Sequence, residues 1–204
     1  MNFIFHSHRN ALTLFRNDPM YTGLYNEVCE SISSITDEDI ISAYNSINRA
    51  GKKSISQPIN RLIKDRLMSF GWIPESPIFE DNWYSDKRWR LDFAKGEISV
   101  EVAFNHGEAT SWNLFKPVMA SELNHVRKAI QTSAGIIICA TESLKSAGNF
   151  DNAVGTYEKF LRYLTPMYNI LTTPLLLIGL AAPQSFKIDH ETREVIYNTH
   201  INHP

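Results

Sequence analysis

The chain has 204 residues, a length that suits one domain and is sufficient to bury a sizeable hydrophobic core. Hydrophobic residues make up 43% of the sequence and charged residues 21%, which is ordinary for a globular protein and excludes a disordered chain. The formal net charge is -2, so there is no overall basic signal for nucleic acid, although basic residues confined to one cleft are compatible with that charge.

Three amphipathic helices are predicted in the first third of the chain. Apolar residues recur at helical spacing over 21–35. Thr36 is a typical N-cap, because three acidic residues follow it where the helix dipole favours negative charge. This second helix is expected to end near Gly51. A third helix is predicted over 57–70, and Gly71 is expected to end it.

A loop and a strand hairpin follow. Residues 72–91 combine prolines, tryptophans and acidic residues, which predicts a loop. The segments RWRLDFA at 88–94 and ISVEVAF at 98–104 predict two strands joined by a tight turn at Lys95 and Gly96.

The rest of the chain alternates helices with buried strands. Helices are predicted over 113–132 and from Asp151 onward, with a polar loop at 141–150. The short apolar runs GIIICA at 135–140 and PLLLIGL at 174–180 are typical of strands that are buried on both faces. This order predicts an α/β fold with a mixed sheet.

The segment SFKIDHETREVIY predicts a terminal hairpin with its turn near His190 and Glu191. We therefore expect a single domain with a mainly helical part at 1–71, a core at 72–182 and a C-terminal hairpin or tail at 183–204.

No segment predicts a membrane partner. The longest apolar run, LLLIGLAA at 175–182, is much shorter than the roughly 20 residues of a spanning helix. The N-terminus lacks the apolar region of a signal peptide, and Cys139 lies in an apolar run that favours a reduced, buried thiol. The sequence therefore predicts a cytoplasmic protein.

Two carboxylates lie in the predicted hairpin. Strand alternation places Glu101 on one face with the small residues Ser99 and Ala103, and Asp92 lies between two hydrophobic residues. Carboxylates on adjacent strands come close enough to share a hard cation, and they repel each other without one. The alternative is that both are ordinary solvent-facing residues, because this spacing is common.

The wider context resembles a known family. RLDFAKGEISVEVAF resembles the core of the BglII/BstYI-type restriction endonucleases, a branch of the PD-(D/E)XK nucleases, in which Asp-Phe is followed after a short turn by Val-Glu-Val-x-Phe. The resemblance covers residues 20–182 and implies a restriction-endonuclease-like α/β core, with a central mixed sheet flanked by helices and a helical N-terminal part. Five further stretches match in the same order: NRLIKDRL (60–67), ASELNHV (120–126), GIIICA, DNAVGTYEKF (151–160) and PLLLIGL.

By this resemblance, Asp92 and Glu101 are the catalytic, metal-binding carboxylates and Mg²⁺ is the cofactor. The superfamily commonly places Lys two residues after the Glu and this branch usually has Gln, but the residue here is Ala103. Its side chain can neither bind a metal nor carry charge, so we expect its backbone carbonyl to contribute. Alternatives for the missing side chain remain open: a water, a nearby polar residue, or loss of activity. The nearby polar residues are Asn105, His106 and Glu108.

DNA contacts are predicted on two segments. Asn152, with Ala153 beside it, falls where the family contacts bases, and Asn can pair bidentately with adenine. Asn152 is also an ordinary N-cap residue, so a structural role is an alternative. Asn105 and His106, just past the catalytic strand, are further candidates. Glu122 matches a Glu in the family's Ser-Glu-Leu motif, as a functional residue or only a helix-surface one.

The resemblance implies a homodimeric type II restriction endonuclease that hydrolyses double-stranded DNA at a short palindromic site of the GATC-centred kind. A two-fold symmetric protein matches a palindrome. A cognate DNA methyltransferase is expected in the host, because the host must protect its own sites. The alternatives are a less specific nuclease of the same fold and a catalytically inactive DNA-binding relative.

Overall fold

The computed structural model describes residues 1–47, 53–122 and 125–198. Its strands are β1 (Phe3–His8), β2 (Ile73–Pro77), β3 (Arg90–Lys95), β4 (Ile98–Ala103), β5 (Ala134–Ala140), β6 (Leu175–Leu180), β7 (Phe186–Ile188) and β8 (Val195–Tyr197). Its α-helices are α1 (Ala11–Asn17), α2 (Pro19–Ser33), α3 (Asp37–Asn45), α4 (Ser56–Ser69), α5 (Thr110–Ser121), α6 (Glu142–Ala147) and α7 (Tyr157–Met167). Short 3-10 helices lie at Asn82–Tyr84, Lys87–Trp89 and Gly107–Ala109.

Six of the described strands form one mixed sheet in the order β1-β6-β5-β4-β3-β2. The central pairs β4–β5 and β5–β6 are parallel. The outer pairs β1–β6, β2–β3 and β3–β4 are antiparallel. The predicted α/β fold with a central mixed sheet is confirmed.

The strands β5 and β6 lie in the middle of this sheet, and every residue of both is buried. Parallel strands that are covered on both faces read as continuous apolar runs, because neither set of alternating side chains meets water. GIIICA and PLLLIGL have this pattern, and both predicted strands are confirmed.

Helices cover the two faces of the sheet and divide the hydrophobic core. The helices α1 to α4 pack on the face to which Ile98, Val100 and Val102 of β4 point. The helices α5 and α7 cover the opposite face, where Ala103 joins Leu114 in a second cluster. The predicted alternation along β4 is therefore correct, and it places Glu101 on the α5 side.

The predicted N-terminal helices are confirmed with small changes in their bounds. The Thr36 hydroxyl accepts from the N–H of Asp39, and the Asp39 carboxylate accepts from the N–H of Thr36, both at 3.1 Å. This reciprocal capping box begins α3. The helix ends at Asn45, and its predicted end near Gly51 lies outside the described residues. Gly71 has a φ of 82°, the left-handed conformation that commonly follows a helix.

Both edge strands, β1 and β2, lie in segments for which no strand was predicted. β1 pairs with β6, and β2 pairs with β3 inside the predicted loop at 72–91. Two prolines and mostly exposed side chains hide the strand pattern of β2. Proline is tolerated there because an edge strand leaves one set of backbone N–H groups unpaired.

The helix predicted over 113–132 is wrong in its second half, because α5 ends at Ser121. The chain then runs back beside the β2–β3 region, and the N–H of Ala129 donates to the carbonyl of Ile78 at 3.0 Å. Val126 packs against a small core at this end of the sheet. Tertiary pairing thus overrides the helical spacing of the apolar residues in this stretch.

The segment between β5 and α7 also differs from the prediction. The predicted polar loop at 141–150 contains α6, which Thr141 caps with its side chain. The helix predicted from Asp151 begins at Tyr157 instead. Asn152 and Ala153 form a turn instead, and Val154 then forms a β-bridge with His106 after β4.

The predicted C-terminal hairpin is confirmed as β7 and β8. The Asp189 carboxylate accepts from the N–H groups of Glu191 and Thr192 at 3.1 and 2.7 Å, which closes the turn where it was predicted. No helix within 1–47, 53–122 and 125–198 is both long and apolar enough to cross a membrane.

Candidate active site

Asp92 on β3 and Glu101 on β4 meet where the hairpin ladder ends. The last paired residues are Phe93 and Val100. At the next position the N–H of Asp92 donates to Glu101 Oε1 at 3.2 Å, and the N–H of Val102 donates to Asp92 Oδ2 at 2.8 Å. Each carboxylate therefore accepts from the backbone of the opposite strand, and the structure brings the two predicted residues together.

Burial controls the protonation of this pair. Glu101 is 1% exposed, and its burial raises the pKa of its carboxyl to about 8, with the neighbouring Asp92 adding to the rise. Burial also raises the pKa of Asp92, and Glu75 on β2 adds to that rise. Lys116 opposes both increases. Both carboxyl groups therefore have a pKa above the ordinary value. A divalent cation bound between them would neutralise the negative charge of their ionised forms.

Lys116 is a site residue that the sequence reasoning missed. Its ammonium forms a hydrogen bond and an ion pair with Glu101 Oε2, although the lysine is only 8% exposed. It projects from α5, which carries no other charged side chain. A single lysine on the buried face of an otherwise uncharged helix is unusual, and that signal was visible in the sequence.

Ala103 occupies a buried position on β4. It is 2% exposed and lies opposite Cys139 of β5. Its side chain packs in the cluster formed with α5 and α7. The side chain therefore contributes only packing, and a chemical contribution from this residue is limited to its backbone carbonyl.

The other candidates for the missing side chain lie farther along the chain. The Asn105 side chain accepts from Asn113 of α5 at 3.0 Å, and its carbonyl accepts from the N–H of Gly155 at 3.1 Å. His106 and Glu108 are exposed. Asn105 and His106 thus pair with the loop before α7, whereas Lys116 contacts Glu101 directly.

The donor set fits a hard divalent cation. Carboxylate and carbonyl oxygens are the ligands that Mg²⁺ prefers, and Mg²⁺ usually keeps several waters beside one or two carboxylates. The described residues contain no group of three or more His, Cys, Asp or Glu side chains that could hold a metal. Asp92 and Glu101 would therefore hold such a cation with most of its coordination positions open to water and phosphate oxygens.

The predicted DNA-contacting residues lie side by side. The N–H of Gly107 donates to the carbonyl of Ala153 at 2.6 Å, and His106 forms a β-bridge with Val154. Asn105, His106, Asn152 and Ala153 thus belong to two paired segments at one end of the sheet. Asn152 is exposed, and it is not the N-cap of α7, because Thr156 holds that position.

An open cavity of about 480 Å³ adjoins these segments. Its walls come from α4 and the residues just before it, from the segment after β4, from the 149–154 loop and from the turn of the C-terminal hairpin. The lining includes Gln57, His106, Asn152, His190 and Arg193. Polar and basic side chains from four separate segments therefore converge beside the predicted base contacts.

Glu122 lies just past the end of α5 instead of on the predicted helix surface. Its carboxylate accepts from the hydroxyl of Thr172 before β6. This contact ties two loops together, which is a structural use for the residue.

Comparisons with known proteins agree with this architecture. The family model "Restriction endonuclease BglII/BglIII" matches residues 3–180. A crystal structure of BglII complexed with a DNA 16-mer is similar with a TM-score of 0.63 and 20% identity, over 89% of this chain and 77% of that one. A crystal structure of free BglII is similar with a TM-score of 0.52 and 15% identity, over 96% of this chain and 90% of that one. A search among curated proteins finds no match.

Proposed function

Because the chain belongs to the BglII/BglIII family of restriction endonucleases, and is thus a type II site-specific deoxyribonuclease, we propose that it hydrolyses double-stranded DNA with Mg²⁺ at a short palindromic site. The observation that carries the proposal is the pairing of half-buried Asp92 with buried Glu101 at the open end of the β3–β4 ladder. The family resemblance favours a recognition site that is centred on GATC, and the proposal does not specify its outer base pairs.

Different residues of the chain have different roles in this reaction. Asp92 and Glu101 hold the metal through their carboxylates, with the carbonyl of Ala103 beside them. Mg²⁺ bound there supplies positive charge at the phosphate and lowers the pKa of a bound water. The apolar cluster beside Glu101 keeps bulk water away from this carboxylate, which strengthens its electrostatic contacts.

Base recognition is assigned to the paired segments 105–107 and 152–155. An exposed Asn152 can contact adenine through its amide, and Ala153 can pack against a thymine methyl group. Asn105 and His106 contribute from the end of β4. This assignment is supported by the adjacency of the two segments and by the polar cavity that they border.

We further propose that the enzyme is a cytoplasmic homodimer, in which each subunit cuts one strand of the palindrome. The host is expected to encode a DNA methyltransferase that modifies the same site. Each subunit brings one acidic pair, so a dimer supplies one hydrolytic site for each strand.

The second candidate is a DNA-binding relative without catalytic activity, which the buried, chemically inert side chain of Ala103 favours. Incubation of a large unmethylated plasmid with the protein and Mg²⁺ separates the possibilities. Discrete fragments support the restriction enzyme, and a smear supports a nuclease of low specificity. Intact DNA with binding retained in Ca²⁺ would support the inactive relative.

A further inference from the structure

We propose that Lys116 is a catalytic residue: its ammonium contacts the scissile phosphate and supplies the positive charge that the side chain at Ala103 cannot supply. This role presupposes the nuclease activity proposed above. It assigns to helix α5 a function that the strand residue two positions after Glu101 performs elsewhere in the superfamily.

The first observation is the placement of the lysine. Lys116 is 8% exposed and its ammonium bonds to Glu101 Oε2. A buried lysine is costly unless a charged partner compensates it, and a well-packed apolar residue would be at least as stabilising at most such positions. The face of α5 that carries it is otherwise built from uncharged residues. The fold alone therefore does not account for a charge at this position.

The second observation is the identity of the neighbouring cations. Arg88 bonds to Asp86 and is largely exposed. Arg90 donates to the carbonyl of Ser85 at 3.2 Å. Within the described part of the chain, Lys116 is the cation that hydrogen-bonds to the acidic pair.

The third observation is the geometry around Ala103. Its side chain belongs to the same hydrophobic cluster as Leu114, which lies on the same helix as Lys116. The helix thus covers the strand at this position, and the charged group reaches the acidic pair from α5. Although the lysine lies on α5 and not on β4, its ammonium is beside Glu101, where it can act on a phosphate bound at the acidic pair.

The chemistry needs such a charge. Asp92 and Glu101 present two carboxylates to a phosphodiester that is itself anionic, and hydrolysis adds further negative charge to the phosphate oxygens. A cation that is already fixed in a buried site stabilises that charge without reorganisation, which is the largest contribution in many enzymes. When Glu101 shares its oxygens with a divalent ion, the ammonium is free to turn to the phosphate.

A purely structural role predicts a different behaviour. If Lys116 only held Glu101 in place, its removal would weaken metal binding and cleavage together. If it acts on the phosphate, its removal slows cleavage while metal binding stays the same or tightens, since the ammonium competes with the ion for Glu101 Oε2.

The experiment compares Lys116→Met and Lys116→Gln with the wild type and with Lys64→Met, an exposed lysine on α4. Both Lys116 variants remove the charge, and Gln retains a donor for Glu101 if Met is not tolerated. Single-turnover cleavage is measured with saturating Mg²⁺ at about pH 9, where fewer protons compete with the metal than at neutral pH. Ca²⁺-supported DNA binding is titrated in parallel by fluorescence anisotropy, which reports metal binding without cleavage.

We expect both Lys116 variants to lose about 100- to 1,000-fold in cleavage rate, the cost typical of one lost electrostatic contact to the transition state. The Ca²⁺ concentration that supports half-maximal binding should stay constant or fall, and Lys64→Met should match the wild type in both measurements.

Two results would overturn the role of Lys116 alone: a cleavage rate within threefold of an active wild type, or parallel losses of rate and Ca²⁺-supported binding. A wild type that binds DNA and never cuts would instead remove the nuclease proposal and this role with it.

Discussion

The most informative single substitution is Glu101→Gln, tested on the free protein without metal. Burial raises the pKa of this carboxyl to about 8 from its usual 4.5. A carboxyl group with a higher pKa in the folded chain binds its proton more tightly there. The contribution of Glu101 to folding is therefore most favourable below about pH 4.5, and stability falls as the pH rises from 4.5 to 8.

The magnitude follows from this shift. At pH 7 the unfolded chain is ionised at this position, and keeping the proton in the folded chain costs about 3 kcal/mol. Gln removes that cost, but its amide is a poorer fit than the carboxyl as hydrogen-bond acceptor for the ammonium of Lys116, which offsets about 1–2 kcal/mol. The net expectation is a variant that is more stable than the wild type by about 1–2 kcal/mol, equivalent to a rise of about 3–6 °C in Tm for a chain of this size.

Thermal unfolding monitored by circular dichroism between pH 5 and 8, with chelator present, measures this effect. The difference between Glu101→Gln and the wild type should widen as the pH rises. Added Mg²⁺ should stabilise only the wild type, because ligand binding to the folded state raises its stability. The control Glu191→Gln changes an exposed carboxylate in the C-terminal turn and should leave the profile unchanged. A Glu101→Gln variant that is less stable at every pH would refute the reasoning.

The remaining predictions concern the site, the base contacts and the fold. Asp92→Ala and Glu101→Ala should each reduce cleavage by roughly 1,000-fold or more while circular dichroism shows an intact fold, and full activity in both would remove the site assignment. Asn152→Ala should weaken cleavage of the cognate site by about 10- to 100-fold, the value of one bidentate base contact, and leave binding to unrelated DNA unchanged; equal losses on both DNAs would mean a phosphate contact or a misfolded loop. Thr36→Ala should lower the free energy of unfolding by about 1 kcal/mol in a urea titration through loss of the capping box with Asp39, with the cleavage rate unaffected, and a normal stability would show that the cap is dispensable.

The parts of the fold that depend on neighbouring residues in the sequence were predicted correctly from sequence patterns. Alternation along β4 was sufficient to place Glu101 and Ala103 on one face, because side chains of a strand point alternately to two sides. The buried runs of β5 and β6 were recognisable since both faces of a central strand are covered. The Thr36 cap was readable because its partners lie within one helical turn.

Long-range contacts set the features that were missed. The strand β1 exists because β6 lies beside it, and its largely exposed side chains give little periodic signal. The helix predicted over 113–132 stops at Ser121 because the following residues pair with Ile78 and its neighbours. In both cases the pairing partner, β6 for β1 and Ile78 for the residues near Ala129, lies far away in the sequence.

The same difference between local and long-range contacts explains why the sequence predicted Asp92 and Glu101 but not Lys116. Asp92 and Glu101 lie nine positions apart in one hairpin, so a family motif and a turn bring them together. Lys116 reaches them from a helix on the next layer, and its approach depends on how α5 packs across β4. Reasoning along the motif could identify the gap at Ala103, but only the packed structure shows which cation lies beside it.

The central claim is that the acidic pair makes this protein a metal-dependent, site-specific nuclease. The most direct test is to digest unmethylated genomic DNA with the wild type and with Asp92→Asn, each with Mg²⁺ and with chelator, and to sequence the fragment ends. The account predicts ends that map to one short palindrome, produced only by the wild type with Mg²⁺. Ends of the same kind from Asp92→Asn, or wild-type cleavage that persists in chelator, would contradict it.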